Sequence, residues 1–383
     1  MSDPRVLVVH NRYRYAGGEE RAVELQLAAL RRARVTHAVL ERDSAATGRA
    51  QAARALLRGG DEPGEVADAV RALGATVVHV HNMQPLFGPR SLAAARGAGA
   101  RVVMHLHNFR LFCSIAVAFR DGHTCFRCSG RFTLPGLVLD CRGSVPESAA
   151  YATALALHQR AVLDAVDRFV TPSRFAAAQL ARLGVPAERL DVVANYAPES
   201  APADPAAGGY AVVAGRLAAE KGIDVAVEAA GRAGVPLRVA GDGPLAGELR
   251  ALARRAAAPV ELLGRVPAEQ VAELLAGAAM VLVPSVGPDV MPFAALEGMA
   301  AGVPVVAARS GSLPELVGPE RCVPRRDPGA LAAAMGRLWR DPELRRAEGA
   351  ALRERARERF SEDRYTRALL ELYARVGAGE PQR

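Results

Sequence analysis

Two stretches of the chain carry side chains that can bind phosphate groups and hydroxyls. The first, Gly215–Gly222 (G-R-L-A-A-E-K-G), holds the cations Arg216 and Lys221 in a turn that begins and ends with glycine. Lys221 is the only lysine of the chain, which otherwise uses arginine. Two cations beside open backbone and a helix start can clamp a diphosphate. The alternative is a solvated basic turn, the usual fate of surface arginine and lysine.

The second stretch, Val281–Ala307, reads as strand, acidic loop, helix and strand. Asp289 lies in the loop, and Glu297 follows eight residues later, a little over two helical turns, so both carboxylates can face one crevice. Pro292 suits the first helical position, and the N–H groups from Phe293 onward favour phosphate. Together these groups could hold a ribose diol, sugar hydroxyls and phosphate. The alternative is a helix that carries a solvated glutamate.

Two glycine pairs stand at predicted strand-to-helix turns. Gly17 and Gly18 precede a helix predicted from residue 19 to about residue 32, and Gly241 and Gly243 flank Asp242 after another strand. Glycine lets the backbone approach a ligand and aims helix N–H groups at it. Each pair alone is also typical of an ordinary turn.

The four asparagines of the chain each follow a predicted strand, and three of them form His-Asn pairs. They are Asn11, Asn82, Asn108 and Asn195, preceded in the first three cases by His10, His81 and His107. A rare polar residue repeated at strand ends indicates one shared cleft. Strand-end capping is the alternative, because asparagine bonds readily to nearby backbone.

Four of the five cysteines lie in one loop-rich insertion with the spacing C-x11-C-x2-C-x12-C. They are Cys113, Cys125, Cys128 and Cys141. Four thiolates with a central C-x2-C suit a closed tetrahedral site for structural zinc, and His123 could replace one of them. The alternatives are free thiols or disulfides, which are disfavoured in the cytosol. Cys322 stands alone and is expected to be a small buried residue.

Alternation of strands and helices along both halves predicts two α/β domains with parallel sheets and helices on both faces. A length of 383 residues favours two domains, and the Pro/Ala/Gly-rich segment Ala197–Gly209 marks the linker between them. We therefore expect domains at 1–198 and 199–360, with the insertion at 111–145 in the first. Two such domains place a cleft between two sets of strand ends.

The formal charge of +8 comes almost entirely from arginine and follows a general compositional bias. It is weak support for nucleic-acid binding, which we do not expect, and fits an anionic lipid or ligand equally well. No apolar run approaches the length of a membrane span, about 20 residues. The first residues lead straight into a predicted strand, so we expect no signal peptide. We expect a cytoplasmic protein, with contact at the inner face of the membrane as an option.

The joint order of these motifs resembles the family-4 glycosyltransferases, which are retaining, nucleotide-sugar-dependent enzymes of the GT-B fold. The motifs are, in chain order, G-G-E-E-R, V-H-V-H-N, H-L-H-N-F, V-T-P-S-R-F, G-R-L-x-x-E-K-G, G-D-G-P, L-G-R-V-P, an acidic residue eight before Glu297, G-V-P-V-V and L-P-E. Each is weak alone, but their order and spacing are specific and cover nearly the whole chain. The cysteine insertion resembles a subset of the family.

The resemblance implies a GT-B architecture, with two Rossmann-like doubly wound domains that face each other across a cleft. It implies that Arg216 and Lys221 bind the donor diphosphate, Glu297 the ribose and Asp289 the donor sugar, with His107 near the anomeric centre. Further donor contacts would come from Gly17, Gly18, Gly215, Gly241, Gly243, Arg265, Met291, Pro292 and Phe293. The C-terminal segment 361–383 would return to the first domain as a helix.

Two departures from the family pattern concern the donor sugar. Asp289 stands where the family usually has glutamate, and Met291 with Pro292 stand where it often has Phe-Gly. The side chain of Asp289 is one methylene shorter, and Pro292 removes one N–H group. Both changes affect recognition of the donor sugar more than binding of the diphosphate.

The function expected from the resemblance is transfer of a hexose, with retention, from a UDP-sugar or alternatively a GDP-sugar to a hydroxyl group. The acceptor would be a cell-surface polysaccharide, a lipid-linked intermediate or a secondary metabolite, and no catalytic metal is needed. The alternatives are a nucleotide-sugar epimerase or phosphorylase of the same fold, or a non-catalytic sugar-nucleotide-binding protein. A dinucleotide dehydrogenase is disfavoured, because no G-x-G-x-x-G follows either first strand.

Overall fold

The structure is a computed structural model that describes residues 4–13 and 17–378, apart from the side chains of residues 268 and 269. The chain divides into two compact units. The first takes its residues from Met1–Ala118, Cys125–Ala194 and Tyr365–Arg383, and the second from Phe119–Thr124 and Asn195–Arg364.

Strands and helices alternate along most of the chain. The strands are β1 (Val6–Arg12), β2 (His37–Asp43), β3 (Val77–Val80), β4 (Arg101–His105), β5 (Phe119–Arg120), β6 (His123–Thr124), β7 (Arg168–Thr171), β8 (Leu190–Val192), β9 (Tyr210–Ala214), β10 (Leu237–Ala240), β11 (Val260–Gly264), β12 (Ala278–Val283), β13 (Val305–Ala308) and β14 (Cys322–Val323).

The α-helices cover the sheets and end the chain. They are α1 (Gly18–Arg32), α2 (Arg49–Arg58), α3 (Pro63–Leu73), α4 (Pro89–Gly97), α5 (Leu134–Val138), α6 (Val145–Ala165), α7 (Arg174–Leu183), α8 (Ile223–Ala233), α9 (Ala246–Ala253), α10 (Ala268–Ala276), α11 (Phe293–Ala301), α12 (Leu313–Val317), α13 (Pro328–Arg340), α14 (Pro342–Arg359) and α15 (Glu362–Gly377).

Each unit contains a six-stranded sheet in which every pairing is parallel. The strand order is β2-β1-β3-β4-β7-β8 in the first unit and β11-β10-β9-β12-β13-β14 in the second. The central strands β3 and β12 are buried along their whole length, as expected of apolar runs covered on both faces. The prediction of two parallel-sheet α/β domains is therefore confirmed.

The strand order reverses direction once in each sheet. In the first sheet the chain moves from β1 to β2 and then returns to place β3 on the other side of β1. In the second sheet it moves from β9 through β10 to β11 and then places β12 on the other side of β9. Loops at the carboxyl ends of the strands diverge at such a reversal and leave a crevice, which is where ligands bind in open α/β sheets.

Local signals fix several helix starts, and one of them differs from the prediction by a residue. Asp327 and Asp341 accept hydrogen bonds from the third N–H group of the helices that follow them. Pro292 was expected to be the first residue of α11 but lies directly before it, with an extended backbone (φ −73°, ψ 129°). A cap position requires this extended backbone, and the fixed φ of proline is compatible with it.

The cysteine-bearing insertion holds more regular structure than its sequence indicated. It contains the antiparallel hairpin β5–β6 and the short helix α5, which packs against α6. Thr133 fixes this packing, because its hydroxyl donates to the carbonyl oxygen of Ala152 at 2.6 Å. A helix of five residues, such as α5, shows too little periodicity to be predicted from sequence.

The final helix α15 packs into the first unit from Tyr365 onward. The hydroxyl of Tyr373 accepts from the side-chain amide of Gln26 at 3.0 Å and lies 2.7 Å from Nδ1 of His79. All three side chains are fully buried. Among the described residues, no helix has both the length and the apolar character needed to cross a membrane.

Candidate functional site

The crevice of the second sheet brings together the two stretches that carried the chemistry in the sequence. The loop after β9 contains Arg216, Glu220 and Lys221, and the loop after the neighbouring strand β12 contains Asp289. The backbone N–H groups of Val286 and Gly287 both donate to the carbonyl oxygen of Glu220, at 3.0 and 2.9 Å. The two loops are thus tied to each other by main-chain hydrogen bonds.

Lys221 and Asp289, which lie 68 residues apart in sequence, form an ion pair with 2.5 Å between Nζ and Oδ1. The second carboxylate oxygen of Asp289 accepts from the hydroxyl of Ser285, and its carbonyl oxygen accepts from the N–H of Ser312 at 2.8 Å. Both charged side chains keep a partly exposed surface, 26% for Lys221 and 16% for Asp289. A carboxylate held from two sides therefore fixes an ammonium group at the rim of the crevice.

Arg216 forms an ion pair with Glu220 one turn later on the same loop. Its side chain is 50% exposed, so the guanidinium can leave this partner at small cost. The carboxylate of Glu220 is far less exposed than the guanidinium it holds. Arg216 therefore lies on the surface beside the crevice, available to an arriving anion.

The glycines of this region divide into two kinds. Gly241 has a φ of +149°, and a Cβ there would collide with the carbonyl oxygen of Gly215; one at Gly243 would collide with the backbone of Leu217. These two glycines are required by contact between neighbouring loops. A Cβ at Gly215 would meet no described atom within 4 Å. Of the three, only Gly215 therefore leaves open space.

The remaining predicted donor residues enter from other elements. Phe293 opens α11, Glu297 lies one turn further along it with partial exposure, and Met291 is buried in the loop before it. Arg265 follows β11, two strands away from β9 in the sheet, and is exposed. Within the described part of the chain, no ion pair or hydrogen bond joins Arg265 to the Lys221–Asp289 pair.

The first unit has a pocket beside the reversal of its own sheet. The loops after β3 and β4 supply His81, Asn82, His107 and Asn108, and the start of α1 supplies Glu19. The loop after β3 is joined to the end of β1, because the side-chain amide of Asn82 donates to the carbonyl oxygen of Asn11 at 2.7 Å. Asn11, Asn82 and Asn108 lie at the carboxyl ends of three neighbouring strands, and each bonds to the backbone one or two residues further on, as the strand-end capping alternative predicted. The cleft shared by all four asparagines stays a prediction.

His107 lies in this pocket and is held by two other histidines. Its ring stacks on that of His105 with 4.0 Å between centroids, and its Nε2 lies 2.8 Å from Nδ1 of His81. Burial lowers the pKa of His107 well below its usual range, and the neighbouring His105 and His10 lower it further. His107 is therefore a neutral imidazole at pH 7, able to donate or accept a hydrogen bond but not to carry charge.

Glu19 is a pocket residue that sequence reasoning missed. Its carboxylate accepts from the hydroxyl of Tyr13 at 2.6 Å and from the side-chain amide of Asn108 at 3.0 Å, and Arg110 also lines the pocket. Burial raises the pKa of Glu19 to about 7. The adjacent Glu20 instead caps the helix, because it accepts from the N–H groups of Tyr13 and Gly17 at 3.0 and 2.7 Å.

A signal for Glu19 was present in the sequence. Two glutamates follow Gly17 and Gly18 directly, and only one is needed to cap the helix. Residues adjacent on a helix point about 100° apart, so the second carboxylate had to point elsewhere. Gly17 and Gly18 themselves are exposed at the start of α1.

The four cysteines of the insertion are reduced and partly buried. Burial raises the pKa of Cys128 to about 11, and the other three thiols, Cys113, Cys125 and Cys141, each raise it further. Cys113, Cys125 and Cys141 are therefore each close enough to Cys128 to interact with it electrostatically. The group of potential metal ligands found among the described residues consists of histidines, however, so the predicted four-cysteine centre is not confirmed. Cys322 is buried as expected.

Comparison with known proteins places both halves of the chain in glycosyl transferase families. Residues 5–196 match the family described as "Glycosyl transferase 4-like domain", and residues 208–341 match "Glycosyl transferases group 1".

An exopolysaccharide phosphotransferase of Streptomyces coelicolor is 34% identical over 206 residues, which are 51% of this chain and 22% of that protein. A protein of Escherichia coli K12 assigned as the colanic acid biosynthesis glycosyltransferase WcaL is 33% identical over 210 residues, 49% of this chain and 50% of that protein. The chain thus aligns with half or less of the length of these relatives.

The crystal structure of HepE from Anabaena in complex with UDP shares the fold. It aligns with 97% of this chain and 99% of its own, with a TM-score of 0.67 and 17% identity. Because the match to the 4-like family extends over residues 5–196, half of the sequence, it establishes the family. The chain belongs to the glycosyl transferase 4-like family, and its second half matches the group 1 glycosyl transferases.

Proposed function

We propose that the protein is a retaining glycosyltransferase that moves a hexose from a UDP-sugar or a GDP-sugar to a hydroxyl group of a glycan, a lipid-linked intermediate or a metabolite. The observation that carries this proposal is the Lys221–Asp289 pair, fixed where the strand order of the second sheet reverses. Family membership and the UDP bound by HepE support it. UDP is the preferred nucleotide.

In this proposal the second unit holds the donor. Lys221 and Arg216 stabilise the negative charge that develops on the leaving diphosphate, which is the main electrostatic contribution to catalysis. The open space beside Gly215 admits a phosphate group, and Glu297 binds the ribose. Asp289 holds the ammonium of Lys221 in place and accepts a hydrogen bond from the donor sugar.

His107 in the pocket of the first unit would contact the sugar near its anomeric carbon. As a neutral imidazole it can hydrogen-bond to a hydroxyl while the charge at the reacting centre changes. We favour a same-face substitution, in which the bond from the anomeric carbon to the diphosphate breaks as the acceptor oxygen attacks. The leaving phosphate then takes the proton of the acceptor hydroxyl, so the anomeric configuration is retained.

The test is release of nucleoside diphosphate from a panel of UDP- and GDP-sugars, measured with and without an extract of lipid-linked and free glycans. We expect release from one donor to depend on the acceptor and to disappear in Lys221→Ala. A matched control is Arg232→Ala, which removes a surface cation that pairs with Glu228. Release that is equal without acceptor, or a fully active Lys221→Ala variant, would overturn the proposal.

The alternatives raised by the sequence are an epimerase, a phosphorylase and a non-catalytic binding protein. The family descriptions match transferases in both halves of the chain, and no observation favours these alternatives over a transferase. Acceptor dependence separates transfer from epimerisation. Tight donor binding without turnover would indicate the binding protein.

We also propose that Cys113, Cys125, Cys128 and Cys141 bind structural zinc. All four thiols are reduced, and the other three interact electrostatically with Cys128. Thiolates are the ligands that closed zinc sites use, and bound zinc favours the deprotonated form that burial opposes. A zinc ion here would hold the insertion together without taking part in the reaction.

A membrane is the partner that the insertion fits. Four large apolar side chains at residues 132–145 are exposed, Phe132 by 58%, Leu134 by 53%, Val138 by 71% and Val145 by 62%. Two exposed arginines, Arg127 and Arg131, precede them in the sequence. Apolar groups flanked by arginine bind the boundary of an anionic bilayer. We therefore propose that the protein binds the inner face of the cytoplasmic membrane.

Sedimentation with vesicles tests the membrane contact. We expect binding to vesicles of phosphatidylglycerol, little binding to phosphatidylcholine, and reduced binding of a Phe132→Ser, Val138→Ser double variant. Val192→Ser is the control, because Val192 is exposed on a strand of the sheet. If both variants bind the vesicles equally well, the insertion does not contact the membrane.

A further inference from the structure

Five of the eight histidines pack together inside the first unit. They are His10, His79, His81, His105 and His107. The proposed transfer reaction uses His107 alone, so the other four have no assigned role. Three of them, His79, His81 and His105, form the centre of the stack, and we call these three the histidine triangle.

The fold itself brings the histidine triangle together. His79 lies on β3, and His81, two residues further on, points to the same side of the sheet. His105 ends the neighbouring parallel strand β4. The ring centroids are 4.8 Å apart for His79 and His81, 5.4 Å for His81 and His105, and 5.6 Å for His79 and His105.

The triangle leaves buried ring nitrogens without hydrogen bonds. Within the described part of the chain, Nε2 of His79, Nε2 of His81 and both nitrogens of His105 have no hydrogen-bond partner. The three side chains are between 0% and 4% exposed. An unpaired buried polar group destabilises the folded state, so several in one place call for a ligand.

We propose that His79, His81 and His105 bind a divalent transition metal ion, with zinc as the expected occupant. One ring nitrogen from each residue lies within 4.8 Å of the other two. Tetrahedral zinc with bonds of 2.0–2.1 Å brings its ligands to about 3.4 Å from one another. The rings of His79, His81 and His105, which stack on one another, therefore have to turn to aim these nitrogens at one ion.

The second nitrogens of two rings already have the partners that metal-binding histidines use. Nδ1 of His79 lies 2.7 Å from the hydroxyl of Tyr373, and Nδ1 of His81 lies 2.8 Å from Nε2 of His107. A metal-binding histidine usually makes such a bond through its other ring nitrogen, which fixes the ring and its tautomer. Each of these two rings therefore has one nitrogen held and one free.

The chemistry of the site also fits a metal rather than a buried proton. Burial lowers the pKa of all three imidazoles, so they are neutral at pH 7. Neutral imidazole is the ligand form for zinc, copper and nickel, and three such ligands leave one position on a tetrahedral ion. With the ion on His81, Nδ1–H of that ring donates to His107 and sets its tautomer.

Metal analysis can separate this ion from one held by the cysteines. In a Cys128→Ser background, protein stripped by a chelator and reloaded with zinc should retain one ion per chain. His105→Gln in that background should lose the ion, whereas His37→Gln, a half-buried histidine on β2, should keep it. Two results would overturn the proposal: retention of the ion in the His105→Gln variant, or absence of the ion from the Cys128→Ser protein itself.

A second measurement does not depend on a variant that folds well. Cobalt in the wild-type chain should give one site with the absorption of nitrogen ligands alone, separate from any band caused by thiolate ligands. Addition of zinc to stripped Cys128→Ser protein should raise its melting temperature, since the metal binds the folded state only. Thiolate bands alone, with no rise in melting temperature, would show that the triangle is a stack of unliganded core histidines.

Discussion

Lys221 and Asp289 show how one polar pair can serve two purposes. The ion pair ties two loops that leave neighbouring strands, and it also fixes a cation at the rim of a crevice. Both side chains are partly exposed, so solvent screens the pair and its contribution to stability is small. A lysine kept at this position in an arginine-rich chain is therefore better explained by ligand binding than by stability.

Replacement of Lys221 by alanine separates these two purposes. We expect kcat/KM to fall by about 100-fold or more, because a cation at the leaving group is lost. The free energy of unfolding should change by about 1 kcal/mol or less. Steady-state kinetics with the best donor and urea titration measure the two effects. A large loss of stability with the same kinetics would make the lysine structural.

Glu19 should make stability depend on pH in a definite direction. Burial raises its pKa from 4.5 to about 7, so between these values the folded state binds a proton that the unfolded state has released. The contribution of Glu19 to stability therefore decreases as pH rises through this window. Glu19→Gln removes the titration, and its stability relative to wild type should be higher at pH 8 than at pH 5.

Urea titrations at pH 5 and pH 8 measure this difference. Glu24→Gln is the matched control on the same helix, because the side chain of Glu24 is 65% exposed. We expect the control to follow the wild type at both values. If Glu19→Gln also runs parallel to the wild type, the carboxyl group is ionised throughout and its pKa is not raised.

Among the elements, α15 is joined to the core of the first unit by the hydroxyl groups of two buried tyrosines, Tyr365 and Tyr373, which both bond to the side chain of Gln26. Tyr373 bonds to Gln26 on α1 and lies beside His79 on β3. Tyr373→Phe removes the partner of Nε2 of Gln26 and of Nδ1 of His79, while Oε1 of Gln26 keeps its bond from Tyr365, and the change should lower the free energy of unfolding by about 1–3 kcal/mol. Chemical denaturation measures the change.

Tyr151→Phe is the control for the loss of a tyrosine hydroxyl. The ring of Tyr151 packs under the guanidinium of Arg142, a contact that phenylalanine keeps. We expect a change within about 0.5 kcal/mol. Equal effects at positions 151 and 373 would mean that the hydroxyl of Tyr373 does not hold α15.

The order of the insertion should depend on bound zinc, because the five-residue helix α5 cannot hold the segment together by itself. Cys128→Ser should remove one zinc ion per chain and make the segment around α5 more sensitive to protease. Cys322→Ser, in β14 of the other unit, should leave the metal content unchanged. If the Cys128→Ser and Cys322→Ser variants contain the same amount of metal, the four thiols of the insertion do not bind a metal ion.

For the whole molecule, the donor nucleotide should stabilise the folded state. A ligand at 100 times its Kd adds about 2.7 kcal/mol to the free energy of unfolding of the unit that binds it. We expect UDP to raise the melting temperature more than GDP, and Lys221→Ala to abolish the rise. Calorimetry measures it. A rise in melting temperature with GDP alone would indicate a GDP-sugar as the donor. No rise with either nucleotide would contradict the proposed nucleotide site.

Sequence alone determined the architecture and the identity of the chemical groups. Apolar runs bounded by glycine and proline defined the buried strands, because such runs are stable only between two layers of helices. The single lysine, the carboxylates eight residues apart and the His-Asn pairs were visible without a structure. Their order in the chain identified the family.

Only the tertiary structure decided which groups meet. Lys221 reaches Asp289 because β12 lies beside β9, a choice set by strand order and not by spacing. Gly241 proved to be required by Gly215, since a side chain there would collide with a neighbouring loop. Glu19 and Glu20 are adjacent residues of the same type. Glu20 caps the helix because it is the third residue after Gly17, whereas Glu19 enters a pocket whose other walls come from the loops after β3 and β4, far away in sequence.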